Sequence, residues 1–384
     1  MKSLKTILIN YLTMYPPAAV FSGSVFRKAA PALFWILFLT FSFAQPAPAQ
    51  DSAGKARGWW NEGFRFRAKK NAKATLLPRI SVRKNKFVNA KGDTVLFRGL
   101  SIADPDKIEH QGHWNKSLFN AVKEMGAGLV RVPVHPIAWR TRGAESYLQL
   151  LDSAVDWCTD LNMYVIIDWH SIGNLQMELF QNPMYNTTRR ETYEFWRSIA
   201  RHFSGNNTVA FYEIFNEPTT YRGQLGRASW TEWKKINEDI ISLIRAYDDQ
   251  TIPLVAGFDW AYDLTPLREE PINAEGIAYV THPYSNKRTP PWEPKWEEDF
   301  GFAADRYPVM ATEFGFGMQK GQALAGPNDY GRLITRYLEQ RGISWVAWVF
   351  DPEWQPALLK SWNHFELTGS GEFIKQALHG QTGR

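Results

Sequence analysis

The sequence predicts an α/β fold, a single (β/α)8 TIM barrel over residues 80–384. Short apolar segments alternate with longer segments of helical periodicity, the pattern of a parallel sheet covered by helices on one face. From the first predicted strand, at residue 95, to the C-terminus the chain spans just under about 300 residues. This length is close to the roughly 250 residues that are typical of a barrel with eight such units. The eight strand candidates are residues 95–100, 129–134, 164–169, 209–215, 252–257, 277–282, 308–314 and 344–350.

The segments around these strands complete the predicted architecture. Helical periodicity is predicted for residues 115–125, 146–161, 190–203, 230–247 and 329–341. Residues 80–100 predict a short N-terminal β-hairpin with a turn at Lys91-Gly92-Asp93, followed by the first barrel strand. An open doubly wound sheet is the alternative, but it usually carries a glycine-rich phosphate turn after its first strand, and GLSIADPDK has no G-x-G-x-x-G. The barrel is therefore favoured.

The first 49 residues predict a signal peptide. Arg27 and Lys28 precede an apolar run of twelve residues, ALFWILFLTFSF, and Ala47 and Ala49 form an A-x-A cleavage site. An uncleaved anchor is the alternative, although the run is shorter than the roughly 18 residues of a membrane span. We therefore expect a secreted protein, extracellular or periplasmic, with residues 50–79 as a basic irregular arm before the domain.

The charge distribution disfavours a nucleic-acid partner. Residues 51–91 hold twelve Lys or Arg residues against two acids, whereas residues 92–384 carry a net charge of −9. A nucleic-acid groove in the main domain would need the opposite sign. The single cysteine, Cys158, cannot form an internal disulfide and lies in a helical pattern, so we expect it in the core.

Polar side chains gather where the predicted strands end, the edge at which barrels build their active sites. Two of them are glutamates, Glu217 after strand four and Glu313 on strand seven. Cleavage of a glycosidic bond needs two carboxyl groups, one to protonate the leaving oxygen and one to attack carbon or activate water. Each also has a structural interpretation: Glu217 could cap a helix start, and Glu313 could be a buried ion-pair partner of Arg131. The other strand-end candidates are Asp168, Trp169, His170, Asn216, His282, Tyr284, Trp345 and Trp348.

Seven motifs at these positions resemble glycoside hydrolase family 5, and most closely its bacterial cellulases, the endo-β-1,4-glucanases. In order they are FRGL, RVPV, DWH, FYEIFNEP, THPY, ATEFG and SWVAW. The likeness covers residues 80–378, and the NEP and TEFG motifs carry most of it. It implies a retaining hydrolase with Glu217 as acid/base and Glu313 as nucleophile.

The resemblance also implies supporting roles. Asn216 would bind the sugar 2-hydroxyl, Arg131 and Tyr284 would keep the nucleophile ionised, and Trp348 would form the floor under the ring. His170 and His282 would line the sugar site, although each could instead be a core histidine. The resemblance implies no cofactor, and we find no ligand spacing such as H-E-x-x-H, so we expect no metal.

Three functions remain open at this point. The favoured one is a secreted endo-β-1,4-glucanase that acts as a monomer on a polysaccharide. The second is the same chemistry on mannan, xyloglucan or mixed-linkage glucan, because loop residues Trp139, Trp260, Trp292, Trp296 and Trp354 could build subsites for any of these chains. The third is a sugar-binding barrel without activity. The loops SIADPDKIEHQGHW and DPEWQPALL depart from the cellulase pattern, so the preferred polysaccharide stays open.

Overall fold

A computed structural model describes residues 77–319, 322–323 and 327–381 of the chain. The predicted signal peptide and all but the last three residues of the predicted arm lie outside the described residues. Leu77 and Pro78 are in contact with the barrel, because their carbonyl oxygens accept hydrogen bonds from the side chains of Asn207 and Tyr164. No helix in the described part of the chain has the length and apolar character needed to cross a bilayer.

The predicted hairpin is a three-stranded antiparallel sheet. Its strands are β1 (Ser81–Arg83), β2 (Lys86–Val88) and β3 (Thr94–Val95), in that order. The turn between β2 and β3 contains Gly92 at a φ of 87°, as the Lys-Gly-Asp sequence predicts. Phe87 on β2 packs edge-on against Phe97 and Phe211, so the sheet extends the apolar cluster of the barrel.

Eight parallel strands form a closed barrel, and each overlaps one of the eight predicted strands. They are β4 (Arg98–Ile102), β5 (Leu129–Val134), β6 (Tyr164–Trp169), β9 (Val209–Glu213), β11 (Ile252–Ala256), β12 (Ala278–Thr281), β13 (Val309–Ala311) and β16 (Ser344–Phe350). The barrel closes where β16 pairs with β4, with Trp345 opposite Arg98. On the other side of β4, Gly99 lies opposite Leu129 of β5 and must be glycine, since a Cβ would lie 2.3 Å from the Leu129 carbonyl oxygen. The (β/α)8 prediction is confirmed.

The helices cover the outside of the barrel. They are α1 (Pro105–His110), α2 (Lys116–Glu124), α3 (Pro136–Arg142), α4 (Ala144–Asp160), α5 (Arg189–Phe203), α6 (Trp230–Arg245), α7 (Glu293–Asp299), α8 (Arg332–Arg341) and α9 (Gly369–Leu378). Two of the long helices begin at side-chain N-caps: the Thr188 hydroxyl accepts a hydrogen bond from the Glu191 amide, and the Ser229 hydroxyl accepts one from the Glu232 amide. Cys158 on α4 is buried in the core, as expected, and burial raises the pKa of its thiol.

Short strands extend the rim at the C-terminal end of the barrel. β7 (Ile172–Asn174) pairs with β8 (Leu179–Phe180) and with β10 (Glu217–Pro218). A further pair, β14 (Met318–Gln319) and β15 (Gln322–Ala323), follows β13. Glu217 therefore lies in a strand pair, opposite Ile172, and does not cap a helix.

Candidate active site

Alternation along the barrel strands places a layer of polar side chains above the apolar interior. Side chains two residues apart face the same way, so a residue two positions after an inward apolar residue also points inward. Arg131 follows Leu129 in this way, Asp168 follows Ile166, and the same relation holds for Glu213 after Phe211, His282 after Val280 and Thr312 after Met310. All five polar side chains are fully buried. The strand geometry therefore concentrates ionisable groups at one end of the barrel.

Arg131 is the centre of this layer. Its guanidinium donates to Glu313 at 2.7 Å, to the two Glu213 oxygens at 2.7 and 3.0 Å and to Asn216 Oδ1 at 2.7 Å. It also lies 2.9 Å from Asp168. Burial disfavours the charge, but the three carboxylates raise the pKa of Arg131 well above its usual value. The arginine therefore stays charged and fixes the groups around it.

Glu313 lies beside this arginine and binds both of the residues predicted to support it, Arg131 and Tyr284. One carboxylate oxygen binds Arg131, and the Tyr284 hydroxyl donates to the other at 2.8 Å. Burial raises the pKa of Glu313, and the charges of His282 and Arg131 oppose that rise. The ion pair with Arg131, which the sequence offered as a structural interpretation, is present, and the carboxylate also reaches the cleft.

His282 connects the two glutamates. Its Nδ1 lies 3.1 Å from Glu217 and 3.8 Å from Glu313, while its Nε2 lies 2.9 Å from the Thr312 hydroxyl. Burial alone would disfavour the imidazolium, but Glu313, Glu213 and Glu217 raise the pKa of His282 to about 9. His282 is therefore a cation at neutral pH, the second one among these carboxyl groups after Arg131.

His170 and Trp348 form the wall beside the glutamates. His170 Nδ1 lies 2.6 Å from Asp168, and its ring is parallel to the Trp348 indole at a centroid distance of 5.4 Å. The pKa of His170 lies well below its usual value, because burial disfavours the charged ring and because His135, Arg131 and His282 are close to it. This ring is therefore neutral. The structure thus brings together the two glutamates and the six residues to which the resemblance assigned supporting roles; the roles themselves remain predictions.

The glutamates open into a cleft of about 570 Å³. Of the five loop tryptophans, only Trp260 is among the residues that line it. Trp139 and Trp296 are buried, Trp292 stacks on Trp296, and Trp354 stacks on Trp348. The lining residues are His170, Ile172, Tyr185, Asn216, Glu217, Asp259, Trp260, Tyr284, Asn286, Lys287, Arg288, Glu313, Trp348, Gln355 and Pro356.

Among the described residues, one group could hold a metal ion by distance alone. Single ligand atoms of Glu217, His282 and Glu313 lie within 4.8 Å of one another. Each of these side chains already has a polar partner, and carboxylates raise the pKa of His282, whereas a metal ligand must be neutral imidazole. The donors therefore fit paired-carboxylate chemistry better than a metal centre.

Comparison with known proteins identifies the family. The cellulase model, glycosyl hydrolase family 5, matches residues 88–353, more than half of the chain. The chain belongs to glycosyl hydrolase family 5. This family 5 chain is 42% identical to a β-glucanase from Saccharophagus degradans solved in complex with cellotetraose, over 85% of this chain and 100% of that one, with a TM-score of 0.79.

More distant relatives agree with this placement. An endoglucanase from Clostridium saccharobutylicum is 30% identical over 232 residues, which is 58% of this chain and 47% of that protein. The family 5 chain spans about half the length of the curated relatives that it matches. The catalytic domain of a Thermobifida fusca endoglucanase is 21% identical over 78% of this chain and 97% of its own, with a TM-score of 0.64, and shares the fold.

Two members of the polar layer were not predicted as site residues. Glu213 binds Arg131 through both oxygens, and Thr312 donates to Glu213 at 2.9 Å. The charges of Arg131 and His282 and their hydrogen bonds outweigh the effect of burial and lower the pKa of Glu213 to about 2. An acid inside the apolar strand FYEIF was the available signal, since an unpaired charge is too costly to bury there.

Corrections concern Trp169 and Trp345, which the sequence placed at the mouth together with Trp348. Trp169 is fully buried, stacks on Phe195 and donates through its indole nitrogen to Thr192 on α5. Trp345 lies at the start of β16, is fully buried and donates through its indole nitrogen to Glu339 on α8. Trp348, three residues further along, lines the cleft. Residues an odd number apart face opposite sides of a strand, so the two indoles could not both face the cleft.

Replacing Arg131 by methionine is expected to reduce the free energy of unfolding by about 3–5 kcal/mol, because it leaves buried carboxylates without their cation. Denaturant unfolding at pH 7 measures the loss. The control is Arg140→Met, since Arg140 forms an exposed pair with Glu191, and we expect a change within about 1 kcal/mol. Equal losses in the two variants would show that Arg131 does not anchor the layer.

Proposed function

We propose that this family 5 protein is a retaining endo-β-1,4-glucanase, with Glu217 as acid/base and Glu313 as nucleophile. The observation that carries the proposal is the distance between the two carboxyl groups. An oxygen of Glu217 and an oxygen of Glu313 lie within 4.8 Å of each other at the cleft. Retaining enzymes place their carboxyl groups about 5–5.5 Å apart, whereas inverting enzymes leave about 6.5–9.5 Å for a water molecule.

In the first step, Glu313 attacks the anomeric carbon and forms a glycosyl ester. Glu217 gives its proton to the glycosidic oxygen, and the rest of the chain leaves as an alcohol. In the second step Glu217 takes a proton from water, the water attacks the anomeric carbon, and the Glu313 carboxylate is released. The sugar keeps its configuration because two inversions have occurred.

The neighbouring groups favour this chemistry. Asn216 Oδ1 accepts a hydrogen bond from Arg131, while its buried Nδ2 has no partner among the described residues. A buried donor without a partner is costly, and a sugar 2-hydroxyl would satisfy it. This contact strengthens as positive charge develops on the sugar. Tyr284 holds one oxygen of Glu313, which leaves the carboxylate a fixed direction of attack.

The proposed substrate is a β-1,4-linked glucan. The support is the 42% identical Saccharophagus degradans β-glucanase, whose structure holds cellotetraose, together with endoglucanases among the more distant relatives. The term β-glucanase is broader than cellulase, so mixed-linkage glucan is the second candidate substrate, cleaved by the same two glutamates.

An endo-acting enzyme is expected to reduce the viscosity of carboxymethylcellulose faster than it generates reducing ends. Each internal cut greatly shortens a long chain, on which the viscosity depends, but creates only one new reducing end. Viscometry and a reducing-sugar assay on the same samples measure the two rates. Parallel assays on mixed-linkage glucan, xyloglucan and mannan rank the other candidates. Activity on mannan alone would contradict the proposed substrate and leave the proposed mechanism untouched.

We also propose that the protein is exported and that its signal peptide is removed. The support is the order of a basic pair, an apolar run and an A-x-A site within residues 27–49. N-terminal sequencing of the protein recovered outside the cytoplasm is expected to begin near Gln50. Recovery of membrane-bound protein that retains residues 1–49 would instead support the anchor.

A further inference from the structure

The two loops that depart from the cellulase pattern in the sequence contact each other at the rim of the barrel. The first loop, residues 101–114, begins at the end of β4 and contains α1, and the second loop, residues 351–359, follows β16. β4 and β16 are neighbours in the closed barrel, so the two loops lie side by side at its C-terminal end. The proposed function uses neither loop.

Lys107 on α1 forms the main contact between the two loops. Its Nζ lies 2.6 Å from the carboxylate of Asp351 and 3.2 Å from that of Glu353, and Gln111 donates a further hydrogen bond to Glu353. The Asp351 side chain is fully buried, and that of Lys107 is only 16% exposed. Removing one partner of a buried ion pair leaves the other charge without compensation, whereas an exposed pair contributes little. The pair therefore joins α1 firmly to the second loop.

Asp351 passes this contact on to the backbone of its own loop. Its other carboxylate oxygen accepts hydrogen bonds from the Glu353 and Trp354 amides, both at 2.7 Å. Lys107 Nζ also lies 5.3 Å from the centroid of the Trp354 ring, which is a cation–π contact. One lysine thus holds both the backbone turn and the indole of the second loop.

The second loop in turn fixes Trp348 by two contacts. The Trp348 indole nitrogen donates to the Gln355 carbonyl oxygen at 3.2 Å. The Trp354 ring lies within 12° of parallel to the Trp348 ring, at a centroid distance of 5.8 Å. Trp348 lines the cleft, whereas Lys107 and Trp354 are not among the described residues that line it. An effect of Lys107 on the reaction must therefore pass through other residues.

We propose that Lys107 and Asp351 form a clasp between the two loops and that Lys107 is a positioning residue for Trp348. This inference rests on the proposed function, in which Trp348 lies under the ring that Glu313 attacks. A flat ring beneath a sugar is effective only at the correct height and tilt, and small displacements of a positioning group are costly in rate. The clasp fixes both, because it holds the carbonyl group and the indole that contact Trp348.

A double-mutant cycle tests the clasp on 2,4-dinitrophenyl β-cellobioside, whose leaving group is chromogenic and needs no proton donor. Lys107→Met is expected to reduce kcat/KM about tenfold, since a misplacement of about 1 Å can cost up to about 10²-fold. In a Trp348→Ala background the same substitution is expected to change kcat/KM by less than about twofold, because no ring remains to be positioned. Lys107→Arg, which keeps the cation, is expected to restore part of the activity.

Asp351→Asn provides a second variant, which removes the charge of the clasp and keeps an oxygen for the Glu353 and Trp354 amides. It is expected to show the same dependence on Trp348 as Lys107→Met, and it tests the clasp even if Lys107→Met does not fold. Denaturant unfolding of each variant verifies that the assays compare folded proteins.

The control variant is Lys234→Met, since Lys234 pairs with Glu238 on α6, is 21% exposed and does not line the cleft. It is expected to have the kcat/KM of the wild type. Equal losses from Lys107→Met with and without the Trp348 indole, or no loss in either background, would overturn the clasp and leave the proposed function standing. A wild-type protein inactive on the cellobioside would instead contradict the proposed function itself.

Discussion

Replacing Glu313 by glycine is expected to reduce kcat on a soluble β-1,4-glucan by several orders of magnitude. In the proposed mechanism this variant lacks the atom that bonds to the anomeric carbon, so the covalent intermediate cannot form, and positioning of this kind contributes about 7 kcal/mol or more. The substitution removes the hydrogen-bond acceptor of Tyr284, whereas Arg131 keeps its contacts with Glu213, Asn216 and Asp168. A reducing-sugar assay measures the loss of activity.

Azide distinguishes a missing nucleophile from a misfolded protein. Loss of the Glu313 side chain leaves space on the face from which the proposed nucleophile attacks, so azide is expected to restore part of the activity on an aryl cellobioside. The product would be a glycosyl azide of inverted configuration, because only one displacement occurs. Near-normal activity without azide would show that Glu313 is not the nucleophile.

Replacing Glu217 by alanine is expected to have a different effect, because this variant loses the proposed proton donor and keeps the proposed nucleophile. Polysaccharide cleavage is expected to fall about 10²–10⁴-fold, the range in which a positioned acid/base contributes. An aryl cellobioside with a good leaving group should still form the glycosyl ester, because its departure needs no proton. Mass spectrometry of the digested protein is expected to find the sugar on the peptide that contains Glu313.

The same azide treatment provides the control for Glu217→Ala. Azide would here attack the ester from the face that water normally uses, and the product would keep its configuration. The two variants are therefore expected to give glycosyl azides of opposite configuration from one substrate. A sugar attached to any residue other than Glu313, or identical products from both variants, would require a different assignment.

The sequence was sufficient to predict the barrel. Near-continuous apolar strands between amphipathic helices are characteristic of a parallel sheet with one covered face, and all eight predicted strands are present in the closed barrel. The same rule predicted the position of the site, because the carboxyl ends of the strands meet at one rim. Glu217, His282 and Glu313 lie far apart in the chain, and strand ends alone indicated that they would meet.

Only the tertiary structure decided how the charges are arranged within that rim. Local pattern shows where a strand ends, but it does not show which inward side chains come into contact across the barrel, since these contacts depend on strand order and register. In the sequence, Glu213 is a single acidic residue within an apolar strand. Its contacts with Arg131 and Thr312 are visible only in the closed barrel. The same closure surrounds His282 with carboxylates and makes it a cation, because the energy of a buried charge depends on neighbours that are distant in the sequence.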